Sequence, residues 1–224
     1  MIDWRIISIG TLSAHPLWGE KQPVRVPHAT STLIKTDDRI ILVDPALPDE
    51  ALAARLFERS GLRPNAVTDI FLTTFRPIHR HGIRLFDHAR WWISEAERES
   101  IGVDLIRQLE RQQDPELQQL LKDEIAILQN TRAAEDKLAD NVDLFPLPGV
   151  SPGSAGLLLP LPGKTVLIAG DAVPTVEHME RAQVLQNAFD TQAARESLAE
   201  VIEIADIVVP GHDNVVFNET RRMF

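Results

Sequence analysis

Histidine and carboxylate are the side chains here that could hold a metal, because the 224 residues include no cysteine. Disulfides and thiolate ligands are therefore excluded, and a metal would have to sit on imidazole nitrogens and carboxylate oxygens. The residues of interest fall in three separated segments, Thr74–Gly82, Gly170-Asp171 and Gly211-His212-Asp213. Each follows a short apolar run that reads as a β-strand: Thr68–Leu72, Thr165–Ala169 and Ile207–Val209. Loops at strand ends commonly carry sites, since the sheet fixes the backbone and leaves the side chains free. Glycine beside Asp171 and His212 permits tight turns and close backbone approach.

The rest of the chain supplies the elements that must hold these loops. Arg5–Ile9 reads as a first strand bounded by Gly10. Thr32–Lys35 and Arg39–Val43 form a hairpin across Asp37-Asp38, and Pro45 stops the second strand just after Asp44. Asp49–Ser60 has helical spacing, with Leu52, Leu56 and Phe57 on one face and Gly61 at its end. Arg90–Ile93 is a strand, and its Trp91-Trp92 pair should send one indole into the core. Val142–Phe145, Gly156–Leu159 and Thr165–Ala169 are strands, and Asp190–Ala205 is an amphipathic helix. Residues 97–139 stand apart: rich in Leu, Gln, Glu and Arg, with Asp114-Pro115 marking a break between two helices. This reads as an αα-hairpin inserted into a β-rich framework, serving as a lid, a homodimer surface or extra packing. Glu177-His178 reads as a solvated helix start or loop.

Composition narrows the partners. Hydrophobic residues make up 44% and charged residues 25%, the balance of a globular protein, and the length suits one domain over 1–224. With Lys+Arg 23 against Asp+Glu 33, the net charge of −10 disfavours nucleic acid and acidic membrane surfaces. The one dense basic stretch, Arg76, His79, Arg80, His81 and Arg84, is too short for a nucleic-acid track and points to a site. No stretch approaches the roughly 20 apolar residues of a membrane span. Met1-Ile2-Asp3-Trp4 shows no signal-peptide pattern, so the cytoplasm is the expected location.

Five segments in order carry a family resemblance. They are Ile41-Leu42-Val43-Asp44, Leu72-Thr73 running into a His-bearing loop, Pro148-Gly149-Val150-Ser151-Pro152-Gly153-Ser154, Ala169-Gly170-Asp171, and Val209-Pro210-Gly211-His212-Asp213. Their succession over nearly the whole chain resembles the metallo-β-lactamase superfamily. That resemblance implies an α/β fold, a four-layer αββα sandwich of two mixed sheets with helices outside and a two-metal site at one edge. The helical insertion is the variable part.

The family's ligands carry over only in part. In its Thr-His-x-His-x-Asp-His loop this chain offers Thr74, Arg76 and Ile78 at three ligand positions and keeps His79. The histidine of the Pro-Gly-His segment is Val150, while the bridging aspartate is kept as Asp171 and the final histidine as His212. The resemblance thus implies that one metal position has lost its own ligands, since valine donates no lone pair and a guanidinium repels a cation. The other keeps His79, Asp171 and His212, a set suited to one Zn, Fe or Mn. Asp44 is implied to orient the metal loop through hydrogen bonds. Arg76 either clamps an anionic or carbonyl group or neutralises Asp171. His28 and His81 are further candidates to line the substrate site, with His81 also able to replace Ile78.

Two functions follow as expectations. One is a hydrolase with at most one divalent metal, acting on a small ester, lactone, thioester or phosphoester, with Asp171 and Arg76 as catalytic groups. The other is a non-catalytic binding or structural protein on the same scaffold, its metal site lost and filled by Arg76, taking a small anion in the pocket and a partner on the helical insertion. The fold alone does not choose between them.

Overall fold

The computed structural model describes residues 2–219, built on two six-stranded sheets. The first runs in chain order: β1 (Asp3–Ser8), β2 (Ser31–Lys35), β3 (Ile40–Val43), β4 (Asp69–Leu72), β5 (Arg90–Ile93) and β6 (Thr131–Ala133). Its first three strands are antiparallel and its last four, β3 to β6, are parallel. The second comprises β7 (Lys137–Ala139), β8 (Val142–Pro146), β9 (Ala155–Leu161), β10 (Lys164–Gly170), β11 (Ile207–Pro210) and β12 (Val216–Phe217), ordered β12-β11-β10-β9-β8-β7. Only its β10–β11 pair is parallel.

The period of two along each strand sorts side chains into layers. On β3 and β4, Ile41, Val43 and Phe71 face the second sheet, where Leu157, Leu159, Val166, Ile168 and Val209 meet them. Leu42, Ile70 and Leu72 point the other way, toward α1 (Asp49–Ser60), α2 (Glu95–Arg111) and α3 (Pro115–Asn130). Behind the second sheet, Leu167, Ala169 and Val208 pack on Met179 of α4 (Val176–Glu180) and on Leu198 and Val201 of α5 (Thr191–Ile204). The result is the expected αββα sandwich. Burying a leucine-sized side chain is worth about 1.5–3 kcal/mol, so three continuous apolar layers account for the fold's cohesion.

The helical insertion departs from expectation at its end. The hairpin occupies Glu95–Asn130, with Asp114 Oδ1 accepting from the backbone N of Glu116 and Leu117 to cap α3. Residues 131–139 are not helical: they form β6 and β7, the outermost strands of the two sheets. Three-residue strands carry too little alternation to be read from sequence, and pairing with β5 and β8 decides them. Leu105 and Leu128 seat the hairpin on the outer face of the first sheet. Both tryptophans are packed: Trp91 donates to the Phe86 carbonyl (2.9 Å) and Trp92 to the Asp69 carboxylate (2.7 Å). No described helix is long and apolar enough to cross a membrane.

Candidate functional site

The two sheets present their site loops at one edge. Strand β4 ends into Thr73–His79, and the parallel pair β10 and β11 ends into Gly170-Asp171 and Gly211-His212. Two glycines make the approach possible. Gly170 sits at φ 53°, and a Cβ there would lie 2.6 Å from Thr73 Oγ1. A Cβ on Gly211 would lie 2.6 Å from Asp171 Oδ1, so any side chain at that position would displace the carboxylate.

His79 Nε2 lies 3.2 Å and His212 Nε2 3.0 Å from the same atom, Asp171 Oδ1. All three residues are buried, and their donor atoms lie within 4.8 Å of one another. The contacts are close but misaligned: His79 Nε2 and Asp171 Oδ1 make no directed hydrogen bond and are shielded from solvent. Ligands about 2 Å from a tetrahedral ion stand roughly 3.3 Å apart, so these spacings suit atoms converging on a shared point. The opposite ring nitrogens are anchored. His79 Nδ1 is 2.9 Å from Asp44 Oδ2, and His212 Nδ1 is 3.0 Å from the His28 carbonyl. With the Nδ1 protons donated outward, both Nε2 atoms turn inward, the arrangement that orients metal-binding histidines.

Asp44 is itself held by its neighbours. Its carboxylate accepts from the Thr73 backbone N (2.9 Å) and from Thr73 Oγ1 (2.7 Å). Its backbone sits at φ 49°, a conformation a non-glycine residue adopts at a cost of about 1–3 kcal/mol. Such strain persists only where surrounding bonds over-determine it, as they do here.

The electrostatics are those of a coupled cluster. Burial opposes the charged form of His79, but the carboxylates of Asp171 and Asp44 outweigh it and raise its pKa to about 10. Burial likewise opposes Asp171 ionisation, yet the two histidines hold its carboxyl well below the usual range. Without a cation between them, His79 is therefore an imidazolium at neutral pH.

The adjoining half of the pocket is built differently. Arg76 Nη1 lies 3.2 Å from Asp171 Oδ2, and Nη2 donates to the Val150 carbonyl at 3.1 Å. Thr74 Oγ1 donates to Glu97 Oε1 (2.8 Å) and lies 3.3 Å from Ser151 Oγ. The Glu97 carboxylate also accepts from the backbone N of Phe75 (3.0 Å) and of Gly153 (3.2 Å). Thus α2 reaches under the site loop, and α3 adds an ion pair between Glu124 and Arg80. Among the described residues, none of the α2–α3 hairpin lines the cleft above the site, and α2 backs the site loop from beneath.

A cleft of about 780 Å³ opens above, with Arg76, Ile78 and His212 in its wall. His178 also lines it: Val176–Glu180 is a helix start as expected, but His178 is buried and not solvated. His178 and His15 are both buried and share Thr175 Oγ1, at 2.8 Å from His178 Nδ1 and 3.1 Å from His15 Nε2. That hydroxyl gives its single proton to Glu177 Oε2 (2.9 Å), so it accepts from both imidazoles. Trp18 donates to Glu177 Oε1 (2.7 Å) and stacks on His15 with ring centroids 4.1 Å apart. Burial first, and then the neighbouring His15, push the His178 pKa down to about 4, so it is neutral at pH 7.

Two sequence candidates fall elsewhere. His81 is exposed and does not line the cleft, because the turn into Gly82 carries it away from His79. The His28 ring is engaged with the Ile9 carbonyl (3.1 Å), also off the cleft, and only its backbone oxygen touches the site. Sequence reasoning missed Glu97, His15 and His178. Ser94-x-x-Glu97 has the pattern of a helix capping box, and Ser94 does cap the Glu97 N–H, but the Glu97 carboxylate turns to the site loop instead. His15 is far away in sequence, and nothing in its neighbours signals the pairing.

No family model matches the sequence, and no curated protein matches it. Solved structures do. A crystal structure of a putative metallo-beta-lactamase from Thermotoga maritima superposes with a TM-score of 0.69 at 18% identity, covering 96% of this chain and 99% of that one. A dizinc quorum-quenching lactonase superposes at 0.66 and 18% identity, over 84% and 74% of the two chains. An N-acyl homoserine lactone hydrolase with product at its catalytic metal centre superposes at 0.65 and 20% identity, over 100% and 95%.

Proposed function

On the metallo-β-lactamase fold that this chain adopts, we propose a hydrolase holding one divalent ion, Zn or else Fe or Mn, between His79 Nε2, Asp171 Oδ1 and His212 Nε2. The observation that carries the reading is the pair of buried atoms without directed partners, His79 Nε2 and Asp171 Oδ1, facing His212 Nε2 while both Nδ1 atoms are tied outward. A bound divalent ion supplies Lewis acidity and lowers the pKa of water.

The chain's own groups supply the rest. Arg76 covers Asp171 Oδ2, so that oxygen is not free to take a proton, and its guanidinium stands where it can hold a substrate carbonyl or oxyanion. His178, neutral and with Nδ1 committed to Thr175, can present Nε2 as a hydrogen-bond acceptor to substrate at the cleft wall. The substrate class is a small ester, lactone, thioester or phosphoester. Two similar structures are lactonases, which puts lactones first among compounds to try.

Metal analysis tests the reading. Protein purified without chelator should carry close to one ion per chain, and His79→Ala and His212→Ala should lose it together with any lactone or p-nitrophenyl ester hydrolysis. Metal-free wild-type protein that stays folded and takes up no Zn, Fe or Mn would sink it. That outcome would favour the second reading, a non-catalytic binding protein, which the Arg76 bonds to Asp171 and to the Val150 carbonyl support.

A further inference from the structure

The cleft has a charge character opposite to that of the chain. The sequence has 33 acidic residues and a net charge of −10, yet none of the described residues lining this 780 Å³ cleft is Asp or Glu. Two of them are arginines, Arg76 and Arg195, and two are histidines, His178 and His212. The buried carboxylates of Asp44 and Asp171 do not reach the surface of the cleft, and Arg76 covers the second. Arg195 is different from Arg76: it is exposed, on the first turns of α5, and forms no ion pair among the described residues. A free guanidinium in a concave surface with low-dielectric walls concentrates anions even on an acidic protein.

The remaining wall is largely apolar. Leu12, Leu17 and Pro27 come from the loop after β1, Ile78 from the site loop, and Val184 and Leu185 from the loop after α4. Gln183, Gln186 and Asn187 add neutral donors. Cationic points on an apolar wall match a molecule with one anionic group and a hydrocarbon body.

We propose that the cleft binds an amphipathic small-molecule anion, a carboxylate or phosphate on an apolar chain, with Arg195 as the anchor for its charge. As a substrate class this rests on the metal-hydrolase reading; as a binding site it stands without a metal. Guanidinium meets either oxyanion in a bidentate geometry, so the chemistry shared by the two is what the site recognises.

Calorimetric titration of the intact chain with hexanoate, hexyl phosphate and neutral hexanamide tests this, on protein as purified and after chelation. Hexanoate or hexyl phosphate should bind at least tenfold tighter than hexanamide, and the stronger of the two identifies the anion. Arg195→Gln should weaken that binding at least fivefold and Arg195→Glu more, with unchanged melting temperature, since the side chain is exposed. Rising NaCl should weaken the anions and leave hexanamide unaffected. Equal binding of hexanamide, or unchanged affinity in both Arg195 variants, would overturn the proposal. Arg195-dependent binding by a protein that takes up no metal would retire the hydrolase and keep the anion site. Stoichiometric metal with no preference for anions would do the reverse.

Discussion

The two halves of the site share the Asp171 carboxylate and treat it in opposite ways. On one side, Oδ2 meets a directed donor, Arg76, and every neighbouring polar group is paired: Thr74 with Glu97, Glu97 with two backbone N–H groups, Arg76 with the Val150 carbonyl. On the other side, Oδ1 and His79 Nε2 are buried without a directed partner, although every group behind them is tied down. Asp69 shows what a purely structural buried carboxylate looks like in this protein. It accepts from Trp92 and Arg90 and leaves no oxygen orphaned. A buried polar atom left unmatched costs about 1–3 kcal/mol, so the imbalance at Asp171 is what the proposed ion would relieve.

The largest test of this contrast removes what braces the unmatched half. Asp44→Ala leaves His79 facing a single carboxylate and frees the Thr73 donors, and should cost about 3–5 kcal/mol in urea unfolding, as breaking a buried pair does. It should also weaken metal uptake, because the ring loses its orientation. An equal loss from Thr74→Val would erase the distinction between the halves.

Next comes pH. In metal-free protein the His79 pKa is about 10 against an ordinary 6.5, so its contribution to stability is fully present below pH 6.5 and is lost as pH rises through about 10. The loss should be on the order of 3–5 kcal/mol across that window, read from urea midpoints. A divalent ion competes with the same proton, so its affinity should climb with pH over that range, with about one proton released per ion bound at pH 8. Flat stability from pH 6.5 to 10 in the metal-free chain would contradict the coupled cluster.

Arg76→Gln separates the two readings. It removes a cation from beside the ligands, so metal affinity should rise at least tenfold, while stability falls by about 1–3 kcal/mol as Asp171 loses a charged donor. A fall in stability with no metal bound before or after would mean that the guanidinium is the site's filling. The smallest effect belongs to Thr74→Val, which removes one hydroxyl from the satisfied half and should cost about 1 kcal/mol with metal stoichiometry unchanged.

Much of this was legible in the residues. The strands, the Asp49–Ser60 helix and the order of the loops follow from alternation, glycine and proline, because those signals act over a few adjacent residues. The grouping of His79, Asp171 and His212, and of Arg76 beside Asp171, could be inferred only from the succession of strand-end loops in a resembling family. Their spacing in the chain, some 40 to 90 residues, says nothing by itself about contact. Where the signal was local but ambiguous, the sequence misled: Glu177-His178 looks like any solvated first turn, and Thr131–Ala139 looks like the tail of a helical segment.

The sequence alone determined which chemistry is available. No cysteine and only seven histidines limit any metal to imidazole and carboxylate ligands. Tertiary structure decided the rest. It turned Glu97 from a cap into the floor of the site loop, carried His81 out to solvent, and joined His15 to His178 through Thr175. It also gathered Arg76 and Arg195 into a cleft with no Asp or Glu among the described residues of its lining. The reason is physical: a residue's type fixes what bonds it can make, but its partners come from strands and helices distant in sequence, and only packing brings them within reach.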